Sequence, residues 1–159
     1  MVVRWKAFGL PRTLKIGAKM ATENIIKVMK EIYPERIILV KIGTFYHQYG
    51  KDACIMSYLF GYQMKTVEKN LYTCGFPKAA LNKIMAKLEE NNISYMIVNK
   101  SDNFEVQEEM EFKKKNKYTE YYNVAYRYII KKNKIDSIYN YLLENINSID
   151  INEKINKVE

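Results

Sequence analysis

Histidine, cysteine and glycine are all scarce in this chain of 159 residues, and each scarcity excludes a class of site. Cys54 and Cys74 are the only cysteines and form no CxxC pair, so we expect a reducing compartment and no disulfide framework. The single histidine, His47, cannot complete a zinc site with such distant cysteines, and we expect neither a metal nor a cofactor. The 6 glycines form no G-x-x-x-x-G-K-[ST] loop, which predicts that the chain does not bind or hydrolyse ATP.

Long apolar runs are also absent. No run is long enough to span a bilayer, and the first residues (MVVRWK) lack the apolar core of a signal peptide. We therefore expect a cytoplasmic protein without a membrane partner. Paired carboxylates and a nucleophile beside a base are missing too, so the sequence does not predict an enzyme.

Positive charge is what the chain has in excess. Lysine and arginine number 26 against 18 acidic residues, which gives a net charge of +8. Such an excess favours a polyanionic partner, nucleic acid first and an anionic membrane surface second. A proteome rich in lysine and asparagine would give the same excess without any partner. The 14 tyrosines suit base stacking beside lysines, although many tyrosines are simply half-buried.

Three regions follow from the distribution of these residues. Residues 1–20 contain basic but no acidic residues and form a basic N-terminal arm, which either contacts phosphates or is a solvated tail. Residues 21–116 alternate between helix and strand patterns, which predicts a layered α/β domain. Residues 117–159 form a helical C-terminal extension with two helices, 121–130 and 135–146. The basic residues of the arm are Arg4, Lys6, Arg12, Lys15 and Lys19.

Within the α/β domain, strands are predicted at 35–42, 45–49 and 95–98, and a weaker one at 104–112. Residues 62–74 fit either a short helix or strands. Asp52 is predicted to cap the helix over 53–60.

The stretch Gly43-Thr44-Phe45-Tyr46-His47-Gln48-Tyr49 organises the domain. Gly43 follows an apolar strand and predicts a bulge or a close backbone approach. Strand alternation places Phe45, His47 and Tyr49 on one face, with Tyr46 and Gln48 on the other. Aromatic residues are common in core strands, so a core role is one interpretation. The other is an aromatic wedge that meets a flat partner such as a base pair.

Three segments in order carry a resemblance to a known family. They are KIGTFYHQYGKDA (41–53), CGFPKAAL (74–81) and MIVNK (96–100). In order and spacing, from about residue 22 to residue 100, they resemble the N-terminal mismatch-recognition domain of MutS proteins. That family typically reads Gly-Asp-Phe-Tyr-Glu-Leu-Phe in the first segment. The resemblance implies a mixed β-sheet packed by helices.

The resemblance also implies a function and a site. In the family, the Phe enters the minor groove and stacks on a mispaired base where the duplex kinks, and Phe45 occupies that position. We therefore expect a DNA-binding module for mismatched or distorted duplex DNA, with Phe45, Tyr46, His47 and Lys78 as DNA-binding residues. A mismatch lowers the cost of unstacking a step, so an apolar wedge selects it.

Some residues depart from the family pattern. His47 replaces the Glu that hydrogen-bonds the displaced base, and Thr44 replaces an Asp. Lys51 stands where acidic residues are usual, which increases the attraction to DNA. Full MutS proteins are several times longer and carry a P-loop ATPase, so this chain resembles a free-standing recognition module without ATPase activity.

An alternative remains open. The chain could be a non-enzymatic protein-interaction accessory, for example a MutS-like partner of a retroelement reverse transcriptase or of a repair complex. The basic arm and the helical extension would then be its docking elements.

Overall fold

The computed structural model describes residues 21–68, 71–147, 153, 156 and 157. The predicted basic arm, residues 1–20, therefore lies outside the described residues. Four α-helices, six β-strands and three short 3₁₀ turns are the named elements of the described part of the chain. The helices are α1 (Thr22–Ile32), α2 (Lys51–Phe60), α3 (Leu81–Glu90) and α4 (Tyr118–Glu144). The strands are β1 (Ile37–Ile42), β2 (Phe45–Tyr49), β3 (Lys65–Glu68), β4 (Leu71–Pro77), β5 (Tyr95–Asn99) and β6 (Glu105–Met110).

The six strands form one mixed sheet in the order β3-β4-β2-β1-β5-β6. β1 and β5 are parallel, and the other neighbouring pairs are antiparallel. The predicted α/β fold, a mixed sheet packed by helices with a helical C-terminal extension, is confirmed. The two parallel strands are also the most completely buried, as expected for strands covered on both faces.

Apolar residues on the two faces of the sheet form two separate cores. Ile37 and Leu39 of β1 point to the first face, where they pack with residues of α2, α3 and α4. Ile38 and Val40 point to the second face, where α1 contributes Ile26 and Met29. The alternation of consecutive side chains along a strand therefore decides which core each residue joins.

A tight turn, Gly43-Thr44, connects β1 to β2 and brings them into an antiparallel hairpin. Gly43 has a φ of 61°, and Thr44 is not among the described residues with positive φ. This combination is typical of a type II′ turn, which matches the twist of the flanking strands. The expectation of a bulge or a close approach at Gly43 is wrong. β1 and β2 pair without a register shift, and a Cβ at Gly43 would meet nothing within 4 Å. Gly43 is needed for its backbone conformation.

Asp52 is a buried carboxylate that connects three elements, and the prediction that it caps a helix is wrong. Gly50 occupies the cap position of α2, without a side-chain cap. Asp52 has 0% exposure; its Oδ2 accepts from the backbone N–H of Ile38 at 3.0 Å. Its Oδ1 accepts from Lys30 Nζ at 2.8 Å and from the Tyr118 hydroxyl at 2.6 Å. These donors offset the cost of burying the charge and connect α1, β1 and α4 to α2.

The remaining predictions are refined by the structure. The ambiguous segment 62–74 contains β3 and β4, and the weak alternation at 104–112 is β6. The two helices predicted in the extension are one continuous helix, α4, because residues 131–134 (KKNK) contain neither glycine nor proline to end it. Within the described part of the chain, no helix is long and apolar enough to cross a membrane.

Candidate nucleic-acid interface

One end of the sheet gathers residues that are distant in sequence. β1, β4 and β5 all end there, because β1 and β5 are parallel and β4 is antiparallel to β2. The register pairs Phe45 with Ile42 on one side and with Pro77 on the other. The backbone N–H of Lys78 donates to the carbonyl oxygen of Thr44 at 2.9 Å, which fixes Lys78 beside the hairpin turn.

Phe45 is exposed at this end of the sheet. It is the first residue of β2, and 46% of its surface is accessible. Its ring lies 6.4 Å from the His47 ring, centroid to centroid, at an angle of 40°. Phe45 is therefore a surface residue, although β2 itself is an interior strand with hydrogen-bonded neighbours on both sides.

His47 lies on the same face as Phe45 and is half-buried. It is paired with Val40 of β1 and with Gly75 of β4. The absence of a side chain at Gly75 gives the imidazole room, because a Cβ there would lie 3.2 Å from His47 Nδ1. The hairpin and Gly75 thus place the His47 ring beside Phe45.

Tyr46 points the other way. It has 3% exposure, and its ring stacks on Phe76 in the first core at 5.5 Å and 19°. The structure does not bring the Tyr46 ring to the surface that Phe45 and His47 share, because consecutive strand residues face opposite sides. A DNA contact by its side chain, as expected from the sequence, would need the core to open.

Two exposed lysines flank Phe45 and His47. Lys78 begins a short 3₁₀ turn (Lys78–Ala80) after β4, and Lys100 begins another (Lys100–Asp102) after β5. Sequence reasoning missed Lys100, although it is the last residue of the segment MIVNK that carries part of the resemblance. We call the four residues Phe45, His47, Lys78 and Lys100 the Phe45 surface. Asp102, in the turn that Lys100 begins, accepts from the side-chain amide of Asn99 at 2.7 Å.

A family model described as MutS domain I matches residues 21–131, well over half of the chain. The chain belongs to the MutS domain I family. No curated protein gives a significant match. The match contains the whole sheet, α1 to α3 and the first half of α4. Whether the domain ends at residue 116, as the sequence predicts, stays a prediction.

The surroundings of His47 set the protonation state of its ring in this MutS domain I. Burial lowers the pKa of His47 below its ordinary value, and the positive charge of Lys100 lowers this pKa further. The ring is therefore neutral at neutral pH, with one nitrogen that donates and one that accepts a hydrogen bond.

Membership of the MutS domain I family indicates a mismatch-recognition module that binds DNA. Among the described residues, no three His, Cys, Asp or Glu side chains lie close enough together to bind a metal ion.

Proposed function

We propose that this chain binds mismatched or otherwise distorted duplex DNA through the Phe45 surface, with Phe45 as the wedge. The observation that carries the proposal is the 46% exposure of Phe45 at the family's wedge position. A large apolar ring on a strand that is interior to the sheet would ordinarily be buried. Its exposure between two lysines suits insertion between base steps beside a phosphate backbone.

Selection of damaged or mismatched sites follows from the cost of insertion. Unstacking a step costs a few kcal/mol, and a mismatched or flexible step costs less than a paired one. The stacking of one base on an aromatic ring returns about 1–3 kcal/mol. The same ring therefore gains more at a weakened step than at an intact one.

His47 supplies a polar contact next to the wedge. In its neutral form it can accept a hydrogen bond from a base or donate one to it, and it has no net attraction to phosphate. Its position on the same face as Phe45, over Gly75, supports a contact in the groove that Phe45 would enter. We propose that it replaces the family's carboxylate as the partner of the displaced base.

Lys78 and Lys100 supply phosphate contacts, in our proposal. Both are exposed, and both lie at the end of the sheet where Phe45 emerges. Contacts of this kind release counterions, so each one adds about 0.9 to the negative slope of log affinity against log salt concentration.

The proposed module works without ATP hydrolysis. The chain has no glycine loop with a lysine that could cradle a triphosphate, and we expect no saturable ATP binding in calorimetry. Micromolar binding of ATP would contradict this part of the proposal.

The experiment that tests DNA binding compares a homoduplex with the same duplex carrying one mismatch, over a salt series. We expect a steep negative salt slope for both duplexes and tighter binding to the mismatch. The variant Phe45→Ala should lose the preference. The control is Tyr72→Ala, since Tyr72 is an aromatic residue with 40% exposure at the opposite end of β4. A shallow slope, or a preference that survives in Phe45→Ala, would contradict the proposal.

The second candidate is a non-enzymatic protein-interaction accessory, such as a partner of a retroelement reverse transcriptase. The specific observation in its favour is the exposed apolar surface of α4. Absence of salt-dependent DNA binding in the duplex titrations would favour this candidate over the first.

A further inference from the structure

The second half of α4 extends past the domain with little packing of its own. α4 has 27 residues, a length of about 40 Å at 1.5 Å per residue. In its first half, Tyr118 and Ala125 are buried, and the Tyr128 ring meets the Tyr58 ring of α2 edge-on at 5.5 Å. From residue 130 to residue 144 every side chain is exposed.

Apolar residues line one side of this helix. They repeat at seven-residue intervals, with further apolar residues between them, which is the pattern of a helix that packs along a partner helix. We call them the α4 stripe: Tyr128 (49% exposed), Ile135 (65%), Ile138 (58%), Tyr139 (60%) and Leu142 (41%).

Stability also indicates a partner for this segment. An isolated helix shorter than about 12–15 residues is marginal in water, and helices in proteins owe most of their stability to packing of an apolar face. The exposed half of α4 has that length and packs against nothing in the described part of the chain. Its stripe therefore lacks the partner that its sequence pattern predicts.

We propose that the partner is a second copy of this chain, with the two α4 stripes packed antiparallel. The charges on the helix favour this orientation. Lys131, Lys132 and Lys134 begin the exposed half and Glu144 ends it. Lys131 lies within the stripe, three residues after Tyr128 and four before Ile135, so a parallel pair would set it against Lys131 of the second copy. An antiparallel pair separates these two lysines and opposes the helix dipoles.

The area of the stripe fits such a pair. Its exposed surface amounts to roughly 500 Å² per copy, or about 1,000 Å² in the pair, the lower limit for a specific interface. We therefore expect a dimer that forms with rising concentration. The stripe is separate from the Phe45 surface, because α4 packs on the opposite face of the sheet. The proposal stands or falls independently of DNA binding.

The mass of the full chain in solution tests the proposal. Sedimentation or light scattering over about a hundredfold range of concentration should show a rise from one chain's mass to twice that mass. Leu142→Glu, which places a charge in the stripe, should weaken the dimer by about 30-fold or more. The control Asn140→Glu adds the same charge on the same turn but off the stripe and should dimerise as the wild type. Circular dichroism confirms that both variants are folded.

Cross-linking tests the orientation. A mixture of Lys131→Cys and Leu142→Cys proteins should form a disulfide between the two variants, because both positions lie on the stripe side, and Lys131→Cys alone should form little; the native Cys54 and Cys74 are buried. Efficient cross-linking of Lys131→Cys alone would show a parallel pair and overturn the proposal. A single-chain mass at every concentration, or a dimer insensitive to Leu142→Glu, would also overturn it. So would a monomeric full chain that dimerises only when residues 148–159 are deleted, because that segment would then be what covers the stripe.

Discussion

Phe45 and Tyr46 are adjacent in sequence but lie on opposite faces of β2, so replacing each with alanine separates recognition from stability. Phe45 is 46% exposed, so its burial contributes only about half of the 1.5–3 kcal/mol of a fully buried phenylalanine. Phe45→Ala should therefore lower the free energy of unfolding by about 1 kcal/mol. Tyr46 is 3% exposed and stacks on Phe76, so Tyr46→Ala should cost about 3–5 kcal/mol. The first change should lower Tm by about 3 °C and the second by about 10 °C or more.

DNA affinity should respond in the opposite way. Loss of one base–aromatic stack weakens binding by about 1–3 kcal/mol, which is about 5- to 150-fold in Kd. We expect this loss in Phe45→Ala, measured by fluorescence anisotropy with a mismatched duplex well below Tm. Tyr46→Ala, assayed at a temperature where it is folded, should bind nearly as the wild type. Equal losses of Tm in the two variants, or wild-type affinity in Phe45→Ala, would refute the reasoning.

Four further outcomes follow from the structure. In a salt titration, Lys78→Gln and Lys100→Gln should each reduce the log–log slope by about 0.9, and an unchanged slope would remove that lysine from the interface. Because the pKa of His47 is lowered in the fold, the unfolded chain binds more protons than the folded chain just below pH 6.5. Melts at several pH values should therefore show that stability decreases as the pH is lowered below 6.5, and that it decreases less in His47→Gln. Mismatch preference should decline at a lower pH than it would for a histidine of ordinary pKa. In denaturant titrations, Asp52→Ala should cost about 3–5 kcal/mol, because it leaves the Lys30 ammonium without its carboxylate partner and the buried N–H of Ile38 without its acceptor. Tyr118→Phe should cost about 1 kcal/mol.

Short-range patterns in the sequence predicted which residues of β2 are exposed, but they did not predict the roles of buried polar residues. The alternation of Phe45, Tyr46 and His47 follows from strand geometry alone, so their faces could be assigned without coordinates. Asp52 could not be assigned, because its role depends on Lys30 and Tyr118, which are 22 and 66 residues away in sequence. Lys100 was missed for a similar reason, since only the parallel pairing of β1 with β5 brings it near His47.

The helices at the C-terminus show a different limit. Apolar spacing correctly predicted helix on both sides of residues 131–134, but it does not reveal whether two helical segments are continuous. Continuity depends on the lack of a breaker and on where the next packing surface lies. The position of the next packing surface depends on how the elements pack together and cannot be deduced from the local sequence.

The position of β2 within the sheet has a mechanical consequence. Phe45 begins a strand that is hydrogen-bonded to β1 on one side and to β4 on the other, and the turn before it is fixed by the bond from Lys78 to Thr44. A side chain on such a strand cannot retreat when it is pressed against a stiff partner. If this partner is a DNA duplex, the duplex must then change shape on binding. The protein backbone in the free and bound states should superimpose closely. The affinity of the chain would then depend on how easily its partner bends, and the protein itself would lose little conformational entropy on binding.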